Sequence, residues 1–251
     1  MLRKRLIPSL LLSKGRLVKG VSFREHRDAG RPETTARAHN AQSADEIIIL
    51  DVDASRNNCA ADFDALESVA AECFMPVTFG GGIRTRDDAL RAMDSGADKI
   101  SLTTTALDNP NLIDDLAHLF GTQAIVIGVD VWQRHNEHLL YDYRTDSTRT
   151  DKTVFDWISE SIARGAGEIR LMSADREGGR SGLDGSLIRK IASTFRVPLV
   201  VEGGAGTLEH LAEALDSGAD GVAVGTMLVF SDNNLVKIRR FLNSRGCGLR
   251  S

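Results

Sequence analysis

The chain has 251 residues with a formal net charge of −4, and 42% of its residues are hydrophobic. This length and composition suit one large globular domain, and the negative charge argues against general binding to nucleic acids or membrane surfaces. No apolar run approaches the roughly 20 residues that span a bilayer, so we expect a cytoplasmic protein.

Short apolar runs alternate with longer amphipathic segments along the chain. Eight runs have the length and composition of buried parallel strands. In chain order they are residues 6–12, 46–52, 77–79, 99–102, 124–129, 168–172, 199–201 and 221–224. Helical spacing of apolar residues predicts helices between them. These helices cover residues 86–95, 153–164, 185–195, 208–217 and 234–244.

The second half of the chain repeats the first. Residues 81–85 and 92–98 return as residues 203–207 and 214–220, at an offset of 122 residues (220 − 98). Eight strand–helix units with this repeat predict a (β/α)8 barrel in one domain, residues 1–251. Its half-barrels would span roughly 1–120 and 121–251. A doubly wound sheet is the alternative, and the repeat argues against it.

Two connections are longer than a simple turn, residues 13–32 and residues 132–152. Both follow predicted strands, so they would lie at the C-terminal face of a barrel, where active sites of this fold are built. Mobile lids are one interpretation of both segments. A small structural hairpin is the alternative for residues 132–152.

Glycine-rich turns follow the third and the seventh predicted strand. They read Gly80-Gly81-Gly82 and Gly203-Gly204-Ala205-Gly206, and each precedes a predicted helix. Backbone N–H groups at such turns attract anions. Thr103-Thr104 and Gly225-Thr226 follow the neighbouring strands and add hydroxyl donors. The pattern predicts two phosphate sites, one in each half, although a lone Gly-Gly turn is usually only a tight turn.

Carboxylates end several predicted strands and would face the mouth of the barrel. They are Asp51, Asp130 and Asp175, with Glu177 and Glu202 beside them. Burial near apolar side chains raises a carboxyl pKa towards neutrality, which suits acid–base catalysis. A loop cap or an arginine pair is the alternative role for each. The histidines lack zinc-like spacing and no Ser-His-Asp signature is present, so we expect no metal and no other cofactor.

Charged residues also stand at the starts of four predicted strands. Arg5, Glu46, Lys99 and Glu168 would meet near the barrel axis at its N-terminal face. Two cations and two anions on alternating strands predict a closed ring of ion pairs. Such a ring is either a structural plug or a gate for a small molecule.

These residues together resemble the cyclase subunit of imidazole glycerol phosphate synthase over nearly the whole chain. The resemblance rests on several motifs: Arg5-Leu6-Ile7-Pro8, Gly15-Arg16-Leu17-Val18-Lys19-Gly20, Gly80-Gly81-Gly82-Ile83, Gly96-Ala97-Asp98-Lys99, Gly165-Ala166-Gly167-Glu168, Asp175-Arg176 and Gly203-Gly204-Ala205-Gly206. Members of that family are (β/α)8 barrels that receive ammonia from a class I glutaminase subunit at the N-terminal face. The ammonia then passes a salt-bridge gate and reacts with a bis-phosphorylated ligand at the C-terminal face.

The resemblance implies a role for individual residues of this chain. Arg5, Glu46, Lys99 and Glu168 match the gate, Asp98 and Gln123 the partner interface, Lys19 the lysine of a mobile loop, and Asp130 the general base. The implied substrate and phosphate ligands are Lys19, Asp51, Gly81, Gly82, Thr103, Thr104, Glu177, Gly178, Gly203, Gly204, Gly225 and Thr226.

The departures from the family are concentrated at the chemistry end. Leu11 stands where the cyclase has an essential aspartate, and Thr103, Met172, Glu177 and Glu202 also replace family residues. A carboxylate at position 202 would repel a phosphate by about 3 kcal/mol per charge pair at roughly 5 Å and an effective dielectric constant of 20. Either the ligand differs, or Glu202 is protonated, or it replaces the missing acid as a second catalytic carboxylate.

Three functions are consistent with this pattern. The departures resemble a divergent branch linked to surface-polysaccharide (lipopolysaccharide) synthesis. There the barrel, a glutaminase and a sugar amidotransferase would turn an acetamido sugar into an acetamidino sugar. An authentic cyclase (lyase) of histidine biosynthesis is the second hypothesis. A non-catalytic scaffold that binds a phosphorylated ligand is the third.

Overall fold

The computed structural model describes residues 3–135 and 137–250, so residues 1 and 251, the limits of the predicted domain, lie outside the described residues. The strands in chain order are β1 (Arg5–Ser13), β2 (Arg16–Val21), β3 (Arg24–Gly30), β4 (Ile47–Asp51), β5 (Val77–Gly80), β6 (Lys99–Leu102), β7 (Ile125–Arg134), β8 (Glu137–Asp142), β9 (Ser147–Arg149), β10 (Glu168–Ser173), β11 (Leu199–Glu202) and β12 (Gly221–Val224).

Helices follow or connect the barrel strands. They are α1 (Pro32–Ala41), α2 (Val52–Arg56), α3 (Phe63–Ala70), α4 (Arg86–Asp94), α5 (Thr104–Asp108), α6 (Asn111–Phe120), α7 (Val154–Ala163), α8 (Gly185–Thr194), α9 (Leu208–Asp216), α10 (Thr226–Val229) and α11 (Leu235–Ser244). Within the described part of the chain, each helix is too short or too polar to cross a membrane.

Eight of the strands close into a parallel barrel. The order runs β10, β11, β12, β1, β4, β5, β6 and β7, and β7 pairs with β10 to complete the circle. These eight strands correspond to the eight predicted runs, with ends that differ by at most a few residues. The predicted (β/α)8 barrel is therefore confirmed.

Alternation along the strands sorts side chains between the barrel interior and the helix layer. Ile7, Ile48, Val200 and Ala223 form a small buried cluster apart from the main core. This cluster lies one layer above the strand-start residues Arg5 and Glu46, which precede Ile7 and Ile48 by two positions. The larger core, which includes the fully buried Trp157 and Phe79, fills the space between strands and helices.

The two halves repeat their local capping as well as their sequence. Thr85 caps α4 by accepting a hydrogen bond from the Asp88 N–H, and Thr207 caps α9 by accepting one from the His210 N–H. Such caps satisfy N–H groups that have no partner within the helix. The Gly-Gly turns that precede these two helices are thereby fixed at equivalent places in the two half-barrels.

Both long connections form antiparallel strands at the C-terminal face, which we call the roof. Residues 16–30 form the β2–β3 hairpin on β1, and β8 and β9 extend the end of β7. An ion pair between Arg24 and Asp146 joins the two insertions. The Phe23 ring also stacks on Tyr141, with 6.0 Å between ring centroids. The insertions together cover one side of the roof.

Candidate functional site

The four charged residues at the strand starts form a ring at the N-terminal end of the barrel, which we call the floor ring. Arg5 Nη1 lies 2.8 Å from both Glu46 Oε2 and Glu168 Oε2. Lys99 Nζ lies 3.0 Å from Glu46 Oε2 and 3.2 Å from Glu168 Oε2. Each cation thus contacts both anions, and the ring is neutral overall.

Electrostatics within the floor ring favour the charged states of Arg5 and Glu46. Burial opposes ionisation of Glu46, but Lys99 and Arg5 together lower the pKa of this carboxyl. Thr78 adds a hydrogen bond of 2.7 Å to Glu46 Oε1. Every ion of the ring has two partners. If one side chain moved and opened the ring, each ion that stayed in place would therefore keep a partner.

The predicted interface residues lie near the floor ring, and one of them also has a structural role. Asp98 Oδ2 accepts a hydrogen bond of 2.8 Å from the Val77 N–H, which starts β5. Asp220 does the same for Leu199 at 3.0 Å in the other half. Gln123 is exposed, and its Nε2 donates to the Phe120 carbonyl at 3.1 Å. Both residues stay predicted contacts of a partner.

The roof residues predicted to bind substrate separate into two cavities. The first roof cavity is lined by Asp51, Gly81, Gly82, Thr103, Thr104 and Asp130, together with Leu11, Phe23, Leu50, Ser101, Tyr143, Arg170 and other residues. The second roof cavity is lined by Lys19, Glu177, Gly178, Glu202, Gly203, Gly204, Gly225 and Thr226 with several apolar neighbours. Met172 contributes to both cavities. The first cavity is lined mostly by the first half-barrel and the second mostly by the second half-barrel, but Asp130, Tyr143 and Arg170 reach the first cavity from the second half, and Lys19 reaches the second cavity from the first half.

The glycines of the Gly-Gly turns are required by the backbone. Gly81 has φ +88°, and a Cβ there would lie 2.0 Å from the Asp51 carbonyl oxygen. Gly203 has φ +95°, and a Cβ there would lie 2.5 Å from the Ser173 carbonyl oxygen. L-residues with a side chain rarely adopt such φ values. Each turn therefore brings bare backbone to the edge of its cavity.

Asp51 is committed to a structural role. Its carboxylate accepts hydrogen bonds of 3.0 Å from the backbone N–H groups of Asp53, Ala54 and Asp62. Burial raises the pKa of Asp51 although these three hydrogen bonds oppose the shift. The carboxylate thus fixes the loop after β4, which was the alternative role considered for it from the sequence.

Asp130 ends the interior face of β7 and has no hydrogen bond at its Oδ1 atom from any described residue. Burial raises its pKa to about 6, although Arg170 opposes that shift. Arg170 Nη2 lies 3.7 Å from Asp130 Oδ1, which is beyond hydrogen-bond length. Asp130 is therefore a carboxyl that titrates close to neutrality, as acid–base chemistry requires.

Glu202 is held by two partners instead of facing the second cavity freely. Its Oε2 accepts a hydrogen bond of 3.0 Å from Arg170 Nη1, and its Oε1 accepts one of 2.7 Å from Ser9 Oγ. Both ions of the Arg170–Glu202 pair are more than nine-tenths buried. The charge of Glu202 is thus neutralised within the barrel interior.

Lys19 reaches into the second cavity from β2 and is buried there. Its Nζ donates a hydrogen bond of 2.9 Å to the Ser9 carbonyl and lies against the backbone of Gly225. Burial lowers the pKa of Lys19, while Glu202 and Glu177 oppose that shift. The second cavity is thus lined by the Lys19 amine, by Glu177 and by Glu202, whose charge is balanced by Arg170.

Sequence reasoning missed Arg170, Ser9 and Gly128. The signal was present for Arg170, since it interrupts the apolar run of β10. A Cβ at Gly128, its neighbour on β7, would lie 2.9 Å from Arg170 Nη2 and 2.2 Å from Thr103 Oγ1. Gly within a strand often marks such a close approach. The lack of a side chain at Gly128 therefore leaves room for the guanidinium group of Arg170.

Comparisons with known proteins agree with this architecture. The profile of a family described as "Histidine biosynthesis protein" matches residues 5–234. The chain is 38% identical over 250 residues to imidazole glycerol phosphate synthase subunit HisF of Exiguobacterium sibiricum, covering 100% of both chains. It is 39% identical over 251 residues to the HisF subunit of Wolinella succinogenes, covering 99% of this chain and 98% of that one. The HisF subunit of Gluconacetobacter diazotrophicus is 39% identical over 252 residues, covering 100% of this chain and 97% of the relative.

Proposed function

The chain belongs to the histidine biosynthesis protein family, and from this premise we propose that it is the ammonia-accepting barrel of a glutamine-dependent amidotransferase. A class I glutaminase subunit would dock at the floor, near Asp98 and Gln123. Ammonia would enter through the floor ring and leave at the roof. The acceptor would be the acetamido group of a sugar, which becomes an acetamidino group, and a separate sugar amidotransferase would be the third component.

The hydrogen bonds of the roof carboxylates support the proposal that the acceptor of ammonia differs from the substrate of the cyclase. Cyclase chemistry would need a substitute for the acid that Leu11 replaces, and the sequence offers Asp51 or Glu202. Asp51 already accepts three backbone hydrogen bonds, and Glu202 is paired with Arg170 and Ser9. Both are engaged by the fold, whereas Asp130 Oδ1 accepts no hydrogen bond from a described residue.

The floor supports delivery of ammonia. When one side chain of this buried, neutral ring moves aside for a small neutral molecule, each ion that stays in place keeps at least one partner. Above it, Ile7, Ile48, Val200 and Ala223 offer an apolar layer. Ammonia crosses an apolar layer far more readily than ammonium does, because burying an unpaired charge costs several kcal/mol.

The cyclase (lyase) of histidine biosynthesis is the second candidate. It is favoured by the relationship to HisF subunits over the full length and by Asp130, whose raised pKa suits a general base. This reading requires that the chain works with one carboxyl of the acid–base pair. Loss of such a group typically lowers the rate by about 10²–10⁴-fold.

A turnover assay separates the two candidates. The purified protein is supplied with the imidazole precursor and an ammonium salt, beside a HisF subunit from a relative as control. We expect turnover at least about 10²-fold below the control. The matched variant Leu11→Asp restores the missing carboxyl, and any gain it gives measures how much of the deficit lies at position 11. Turnover by the unmodified chain equal to that of the control would refute sugar amidination.

A further inference from the structure

Three residues that line the first roof cavity each carry a buried polar atom that has no hydrogen-bond partner among the described residues. These atoms are Ser101 Oγ, Asp130 Oδ1 and Arg170 Nε. The residues that carry them are 2%, 6% and 3% exposed, and all three line the same cavity. A buried polar atom without a partner is unfavourable because it has lost its hydrogen bonds to water. Three of them in one cavity point to a polar ligand group as their partner.

The three atoms have a defined donor and acceptor character. Arg170 Nε carries an N–H and can only donate, an ionised Asp130 can only accept, and the Ser101 hydroxyl can do either. They lie on the adjacent strands β6, β7 and β10. The guanidinium is fixed by Glu202 at 3.0 Å, and Gly128 leaves the space that it occupies. The ligand group must therefore offer an acceptor and an N–H or O–H donor together.

The charge of Asp130 disfavours an anionic ligand in this cavity, and the apolar side chains that line it favour a ligand with an alkyl group. A carboxylate or phosphate would be repelled by an ionised Asp130. Leu11, Leu50 and Met172 line the same cavity. A neutral group with one apolar end fits this surface.

We infer that the first roof cavity binds a secondary amide with a short alkyl group, of the kind that an acetamido sugar carries. The carbonyl oxygen accepts hydrogen bonds from Arg170 Nε and Ser101 Oγ, the amide N–H donates to Asp130 Oδ1, and the methyl group contacts Leu11. This inference rests on the proposed function, since it names how the acceptor of ammonia is held. It also explains Leu11, whose apolar side chain would contact the methyl group of the amide, a contact that an aspartate at that position would abolish.

The binding test uses small amides and needs no partner protein and no ammonia. Met172 lines the cavity, so a 13C-labelled methionine methyl group reports on occupancy by NMR, with Met172→Leu to assign its signal. N-Methylacetamide has both the carbonyl and the N–H, whereas N,N-dimethylacetamide lacks the N–H. We expect N-methylacetamide to shift the Met172 signal with an affinity at least about fivefold higher than that of N,N-dimethylacetamide, because a hydrogen bond to a charged group is lost in the latter.

Two matched variants locate the binding. Among the described residues, Ser101 lines the first of the two cavities and Thr226 the second. Ser101→Ala should therefore weaken the binding of N-methylacetamide about two- to tenfold, while Thr226→Val leaves it unchanged. Equal affinity for the two amides, no response of Met172, or loss of binding in Thr226→Val alone would each overturn the inference. A chain that binds N-methylacetamide as expected but turns over the imidazole precursor at the control rate would keep this site and lose the proposed function.

Discussion

The buried pair of Arg170 and Glu202 offers a direct test of how the barrel interior is built. Arg170 Nη1 and Glu202 Oε2 are 3.0 Å apart, and both side chains are almost completely buried. At an effective dielectric constant of 20 their attraction is about 5 kcal/mol. Removal of one partner from a buried pair typically destabilises a protein by about 3–5 kcal/mol, because the other charge stays buried. Ser9 and Lys19 remain near Glu202, so for Arg170→Met we expect a loss of about 3 kcal/mol in the free energy of unfolding.

A double-mutant cycle isolates the pair from other effects of the substitution. Reversible urea unfolding, followed by circular dichroism at neutral pH, would compare Arg170→Met, Glu202→Gln and the double variant. The double variant should recover most of the loss, since it buries no unpaired charge. Arg37 and Glu72 are a control pair of similar length, 2.7 Å, on the surface, with Arg37 67% exposed. Arg37→Met should change stability by less than about 1 kcal/mol.

The reasoning is refuted by either of two results. If Arg170→Met destabilises the chain no more than Arg37→Met does, Arg170 does not compensate a buried charge. If Glu202→Gln fails to rescue Arg170→Met, the loss comes from packing beside Gly128 and not from the ion pair.

Further predictions concern the base, the floor ring and the turns. Burial raises the pKa of Asp130 from 3.8 to about 6, so ionisation destabilises the fold as pH rises through this window. The advantage of Asp130→Asn over the unmodified chain in unfolding free energy should therefore grow by roughly 2 kcal/mol between about pH 4 and pH 7, and a pH-independent difference would contradict this. With a glutaminase partner, Lys99→Ala should change glutamine-dependent product formation relative to ammonia-dependent formation, whereas an equal change in both would speak for a structural plug. Gly81→Ala should unfold or strongly destabilise the protein, because its Cβ would lie 2.0 Å from the Asp51 carbonyl oxygen. In the control variant Gly246→Ala, the Cβ would meet no described atom within 4 Å, so the free energy of unfolding, measured by thermal denaturation, should fall by only about 1 kcal/mol.

The sequence by itself determined the barrel and the elements that surround its two ends. Strand runs such as residues 168–172, the repeat at an offset of 122 residues (220 − 98) and the glycine turns at Gly81 and Gly203 are local patterns, readable without knowing which strand lies beside which. The floor residues were also predictable, because strand starts in a parallel barrel all meet at one face.

Only the tertiary structure decided how the roof residues use their charges. Asp51 is a loop cap, Glu202 is paired with Arg170, and Lys19 lies buried against Gly225. The contacts of Glu202 with Arg170 and of Lys19 with Gly225 join segments that are far apart along the chain. For Asp51, the sequence allowed two roles, a loop cap or a substrate ligand, and did not choose between them. Barrel closure and strand register set the distances that choose between those options, and neither quantity is contained in the local pattern of residues.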